Sequence, residues 1–142
     1  PAGAVVAPGV LLASSAQVLA LKPDAAILAG LDVGVVGPAA GSGASAPRGK
    51  VGVVGSSDAD GIAFEVRAFF PGNNGLAEDP VTGSLNAALA QWLIGAGLAP
   101  AQYVASQGTC LGRAGRVHVQ QEGDTIWVGG HSVTCMAGEA LL

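Results

Sequence analysis

Aromatic side chains make up only 4% of this 142-residue chain, so Val, Leu, Ile and Ala must fill whatever core it builds. Charge is nearly as sparse. Charged residues account for 11%, with six Lys and Arg against ten Asp and Glu, for a net charge of −4. That balance excludes a nucleic-acid partner, which needs a clustered basic surface; Arg113 and Arg116 are the nearest approach to one. No apolar run reaches the roughly 18 residues that a membrane-spanning helix requires. Val5 to Leu12 is apolar but short, is broken by Pro8-Gly9 and lacks a charged leader, so it does not read as a signal peptide. Two cysteines make no disulfide framework in a chain of this size, which points to a reducing, cytoplasmic setting. An initiator Met is also lacking. The chain opens at Pro1 inside what reads as a strand, so it is expected to be part of a longer polypeptide.

What is present is an apolar, small-residue-rich sequence. Half of the residues are hydrophobic, which argues for one densely packed domain over residues 1–142 rather than disorder. The most informative stretch runs from Phe69 to Gly97. Its first half is a polar, glycine-containing loop with adjacent carboxylates at Glu78 and Asp79. Its second half is a helix, because Leu85, Ala88, Leu89, Trp92, Leu93 and Ala96 recur at helical spacing. Ala87, Ala90 and Ile94 are apolar too, so the helix is expected to be enclosed. Thr82 is its expected N-cap. The N–H groups of Gly83, Ser84 and Leu85 then have no partner within the helix, and such an end favours a carboxylate or phosphate.

Around this helix, Gly3 to Leu12 reads as a strand with a bulge or turn at Pro8-Gly9. Ser14 or Ser15 caps a helix running through Lys22, and a second short helix follows from Asp24 to Gly30. Val33 to Val36 reads as a short buried strand. Residues 37–50, rich in Gly, Ala and Ser, read as a flexible internal loop. Val51 to Val54 and Ile62 to Phe70 read as paired strands, the second half-exposed because Phe64, Val66 and Ala68 alternate with Glu65 and Arg67. Four more strands are expected at Tyr103–Gln107, Gly115–Gln121, Thr125–Val128 and Ser132–Ala137. Strands gathered around one helix, without regular βαβ alternation, indicate an α+β fold: a strongly curved, barrel-like mixed sheet wrapped around a central helix.

Glu78 and Asp79 would ordinarily be a solvated loop pair. Here Pro80 holds Asp79 extended, and the helix end lies a few residues on. A carboxylate so placed can contact a substrate whose own carboxylate the helix holds, or take part in proton transfer. Ser84 lacks the glycines of a nucleophile elbow, so its role is binding. His118 and His131 have no neighbours at metal-ligand spacing, and Cys110 and Cys135 read as inert thiols. Phosphate loops fail: Gly43 to Lys50 has one residue too many between its glycines, and Val51 stands where Ser or Thr would bind magnesium.

Arg67-Ala68-Phe69-Phe70-Pro71, Glu78-Asp79-Pro80-Val81-Thr82-Gly83-Ser84, and Gln107-Gly108 with Gly112-Arg113-Ala114-Gly115 together resemble the PhzF-like (phenazine biosynthesis-like) family. Leu21-Lys22-Pro23-Asp24 resembles it as well. The resemblance implies a two-lobed protein related to diaminopimelate epimerase, each lobe a curved sheet around a helix, with this chain as the C-terminal lobe. It implies cofactor-free isomerisation by proton shift, with the main acid/base, a glutamate, on the absent N-terminal lobe. The position of Asp79 implies substrate positioning or proton relay, and those of Gly83 and Ser84 imply carboxylate binding beside Thr82. No metal is implied. The implied partners are a small carboxylate-bearing substrate and the N-terminal lobe. Leu85 stands where a smaller residue is expected. The alternative is a non-catalytic anion-binding domain whose exposed lobe interface would favour homodimers.

Overall fold

A computed structural model of the protein describes residues 9–39, 61–73 and 75–139. Seven strands and two helices are built in the order β1 (Gly9–Leu11), α1 (Ser15–Ala20), β2 (Val33–Pro38), β3 (Phe64–Gly72), β4 (Gly75–Asp79), α2 (Gly83–Gly95), β5 (Gln102–Gln107), β6 (Gly115–Glu122) and β7 (Thr125–Gly129). All seven strands join one mixed sheet in the order β1-β2-β3-β5-β6-β7, and β4 pairs with β3 off that path. The fold is α+β, as expected, but the sheet is open rather than barrel-like, with β1 and β7 as the ends of the path among the described strands.

The two helices cover opposite faces of the sheet. Strand alternation sends Val33, Val35 and Phe69 to one face, where they pack with Val18 of α1. It sends Val36, Phe64, Val66 and Ala68 to the other, where Leu85, Leu89, Ala90 and Leu93 of α2 cover them. Each of those leucines contributes about 2 kcal/mol by leaving water. Tyr103 extends this second core and meets Phe64 edge-on, with ring centroids 5.1 Å apart.

Because β3 is central and covered on both faces, Glu65 and Arg67 are buried. The strand expected to be half-exposed is therefore enclosed from Phe64 to Phe69 and opens to solvent from Phe70. α2 is conversely less enclosed than its composition suggested, since Gln91 is exposed and Trp92, although its ring lies against Gly9 of β1, is partly in solvent as well. Its C-terminus closes with Gly97 at φ 69°: the Gly97 N–H reaches Ile94 O and the Leu98 N–H reaches Leu93 O, a Schellman motif that satisfies two terminal carbonyls.

Several element boundaries differ from the sequence expectation. The Ser14 hydroxyl does cap α1 by accepting from Gln17 N, and the Gln17 side chain reaches back to Ala13 N. The helix stops at Ala20, because the chain must be extended before Pro23. Asp24 accepts from the N–H groups of Ala26 and Ile27, which gives a capped turn rather than a second helix. β2 continues to Pro38 and so takes the first two residues of the expected 37–50 loop; residues 40–50 lie outside the described residues. Gly3 to Pro8 and the expected Val51–Val54 strand lie outside them as well. Gly75–Asp79, read as loop, is a strand paired with β3. Residues 132–137, expected as a strand, are exposed and unpaired within the described sheet, with Val133 and Met136 in solvent.

α1 sits close on β2 because Gly37 has no side chain. A Cβ there would stand 2.6 Å from Ser14 O and 2.8 Å from Val18 Cγ2. Backbone cannot yield as a side-chain tip can, so Gly37→Ala is expected to cost about 2 kcal/mol of stability, read as a lowered urea midpoint with unchanged slope.

Candidate functional site

The site lies where the sheet forks. β2 runs along one side of β3 from Phe64 to Phe69. The other side is shared: β5 pairs in parallel with Phe64 to Val66, and β4 pairs antiparallel with Ala68 to Gly72. Beyond Val66 and Ala68 the two outer strands part, and the ends of β4 and β5 need a bridge. Gln107, the last residue of β5 and fully buried, supplies it. Its Nε2 donates to Asp79 O and Thr82 Oγ1, each at 3.0 Å. Its Oε1 accepts from Thr82 N at 3.1 Å and from Asn86 Nδ2 at 2.8 Å. Two donors and two acceptors are thus all used, which fixes the amide in one orientation.

This bridge determines what the start of α2 offers. Thr82 occupies the N-cap position but makes no capping hydrogen bond. Its hydroxyl accepts from Gln107 and donates instead to Asp79 Oδ2, at 2.7 Å. The expected cap is therefore absent, for the physical reason that Asp79 and Gln107 outcompete the helix for that hydroxyl. No acceptor among the described residues reaches the N–H groups of Gly83, Ser84 or Leu85, and Gly83 and Ser84 are exposed. An uncapped end carries unsatisfied donors and the positive pole of the helix dipole.

Beside that end is a cavity of about 330 Å³. Asp79, Thr82 and Ser84 line it together with Asp32, Ala68, Phe70, Leu85 and Ala88. Three of the four residues singled out from sequence thus share one hollow; Gly83 lies between two of them but is not on its wall. Leu85, larger than the resemblance led one to expect, fits because it packs onto Gly34, where an added Cβ would stand 2.4 Å from Leu85 Cδ1.

A family model described as phenazine biosynthesis-like protein matches residues 8–138. The chain belongs to the phenazine biosynthesis-like family. It is also 39% identical over 75 residues to an uncharacterized isomerase of Pasteurella multocida (strain Pm70). That match covers 52% of this chain and 26% of the relative.

Within this phenazine biosynthesis-like chain, Glu78 stands apart from its neighbour. Successive strand residues point to opposite faces, so Asp79 joins the cavity on the α2 face while Glu78 turns to the α1 face. There Arg67 holds both Glu78 oxygens, through Nε at 2.9 Å and Nη2 at 2.7 Å. Arg67 Nη1 takes the carbonyls of Val18 and Leu21 at the end of α1, and the guanidinium lies over the Phe69 ring. The Glu78 hydrogen bond is the main reason that the Arg67 pKa is raised. Elsewhere, Cys110 and Cys135 are free and exposed. His118 and His131 meet edge-on with centroids 5.7 Å apart.

Sequence reasoning missed Gln107, Asn86 and Asp32 as members of the site. Asn86 gave a signal, a polar residue inside a helix otherwise apolar at its buried positions. Gln107 gave one only through the Gln107-Gly108 pair. Gly108 adopts φ 91°, and an added Cβ would lie 2.7 Å from Pro80 O, so this turn must hug the Asp79–Pro80 segment. Asp32 gave none.

Gln107→Glu keeps the shape of the bridge but removes both donors and adds a buried charge. It is expected to lower stability by about 3 kcal/mol, measured by chemical denaturation, and to broaden the amide signals of Thr82 to Asn86 in NMR spectra. A native-like midpoint would contradict the bridging role.

Proposed function

We propose that this chain is the carboxylate-binding lobe of a cofactor-independent isomerase or epimerase that acts by proton transfer on a small carboxylate-bearing substrate. The observation that carries this reading is the uncapped start of α2 opening beside Asp79 in a shared cavity. The Gly83 and Ser84 N–H groups and the Ser84 hydroxyl receive the substrate carboxylate, as an anion is received at any free helix N-terminus. Asp79 relays a proton or fixes the substrate's orientation. Its Oδ2 is already held by the Thr82 hydroxyl, while Oδ1 has no partner among the described residues. Membership of the family and the isomerase description of the Pasteurella relative support the reaction class.

In this reading the lobe is diaminopimelate epimerase-like, and its working state is cytoplasmic. The principal acid/base comes from a second lobe, on the same polypeptide or another chain, which closes over the cavity. Glu78 is not that group, since both its oxygens are committed to Arg67. No helix among the described residues is long and apolar enough to cross a membrane.

A second reading, a non-catalytic domain that associates through exposed apolar surface, is favoured by one observation. Trp127, Val133 and Met136 are 60%, 84% and 91% exposed, large apolar side chains of the kind a partner surface covers. Sedimentation of this chain as a clean monomer at high concentration would remove that reading.

For the leading one, the chain is titrated with cyclohexanecarboxylate and followed by amide NMR. The Gly83, Ser84 and Leu85 signals are expected to move. Ser84→Asp, which places a like charge at the helix start, is expected to weaken binding at least tenfold. In the complete two-lobed enzyme, Asp79→Asn is expected to lower kcat by roughly 10²-fold or more; unchanged turnover and affinity would refute the assignment.

A further inference from the structure

The far end of the sheet brings together two side chains that lie 13 positions apart in the chain. β6 turns Val117 and Val119 into the core beneath α2. Alternation therefore sends Arg116, His118 and Gln120 to the opposite face, where all three are exposed. His118 stands opposite Gly129 of β7. Neither Gly129 nor Gly130 has a side chain to shield it: a Cβ added at Gly129 would meet nothing within 4 Å, and one at Gly130 would meet Arg116 O at 3.3 Å. The chain leaves β7 through these two glycines and sets His131 edge-on to His118, with ring centroids 5.7 Å apart. Both rings are open to solvent, and among the described residues neither imidazole has a hydrogen-bond partner.

Two imidazoles with free nitrogens at this separation suit a divalent ion. A nitrogen of each ring about 2.0–2.1 Å from one ion sets the centroids roughly 4.5 Å apart at a right angle and roughly 5.2 Å apart at the tetrahedral angle. In line, with the ion between the rings, the same bonds set them about 6.4 Å apart. The observed 5.7 Å lies inside that range. The backbone thus already holds a chelating separation, and what remains is rotation about side-chain bonds, which exposed residues make freely. Arg116, the cation on this face of β6, is turned toward β5: its Nη1 donates to Ser106 Oγ at 3.2 Å and to Gly115 O at 2.9 Å. No third His, Cys, Asp or Glu of the described residues joins the pair, so the other coordination positions fall to water.

We propose that His118 and His131 form a two-imidazole site for an exchangeable divalent ion of the Ni²⁺, Cu²⁺ and Zn²⁺ group, and that the bound ion staples the segment after β7 to the sheet. Nitrogen donors without carboxylates favour these ions over Mg²⁺ and Ca²⁺. Residues 130–139 pair with no strand of the described sheet, so an ion shared by the two rings adds a tie between β6 and the start of that segment. The site lies on the face of the sheet away from α2 and from the cavity beside it. It is therefore independent of the carboxylate-binding reading, and the ion takes no part in proton transfer.

The test is made in a chain carrying Cys110→Ser and Cys135→Ser, because both thiols are free and exposed and would compete for the ion. Titration with Ni²⁺, followed by calorimetry, is expected to show one ion per chain. His118→Gln and His131→Gln, both at exposed positions, are each expected to weaken binding at least tenfold and by similar factors, since either leaves a single imidazole and removes the chelate. Paramagnetic Ni²⁺ is also expected to broaden the indole signal of Trp127, which shares this face of β7 with Gly129, and to spare that of Trp92 on α2. With Zn²⁺ in place of Ni²⁺, amide hydrogen exchange over residues 130–134 is expected to slow. Loss of binding from one replacement alone would overturn the chelate. Full binding by both variants, or none by the parent chain, would overturn the site. Unchanged exchange with Zn²⁺ bound would overturn the staple.

Discussion

The buried amide of Gln107 is the interaction on which the rest of this site depends. A sheet that forks must leave polar main-chain groups near the branch, and an unsatisfied one in a buried place costs about 1–3 kcal/mol. Gln107 meets that demand with all four of its hydrogen bonds, two of which reach the main chain of Asp79 and Thr82. The same contacts orient the first turn of α2 and draw the Thr82 hydroxyl toward Asp79. One saturated side chain thus closes the fork, leaves the helix end uncapped and holds the carboxylate beside it. Stability and site geometry are supplied by the same atoms.

The second constraint is that β3 is covered on both faces from Phe64 to Phe69. Helices on both sides bury Glu65 and Arg67, and a buried guanidinium needs acceptors for its fixed fork of donors. Glu78 and the carbonyls that end α1 provide them. The ion pair therefore docks the end of a short helix through the carbonyls of Val18 and Leu21, and it ties β4 to the same face. It belongs to the scaffold, although its acid is next in sequence to Asp79.

Much of this was legible in the sequence. The length and position of α2 follow from apolar spacing and from Gly97, and Ser14 announces α1. The grouping of Asp79 with Ser84 follows from the Pro80 turn and the helix that begins at Gly83. What was not legible has physical reasons. Alternation of Glu65 and Arg67 with apolar residues reads as a half-solvated strand unless the partner Glu78, eleven residues on, is known to lie across from it. Residues 75–79 carry glycine and acids, which are poor strand formers, and only pairing with β3 makes them one. Thr82 is a good cap by type, and its diversion depends on Gln107, 25 residues away. Asp32 enters through register alone, which no local pattern records.

Adjacent acids on a strand cannot share a task. Because β4 sets Glu78 and Asp79 on opposite sides of the sheet, the order of the two letters is itself information: the first acid is mortar, the second is exposed to the hollow. A slip of one residue in the pairing of β4 with β3 would exchange their faces, leaving Arg67 to a shorter acid and giving the cavity a longer one. The Gly72–Gly75 pair that closes this register therefore guards the chemistry from a distance, by keeping count.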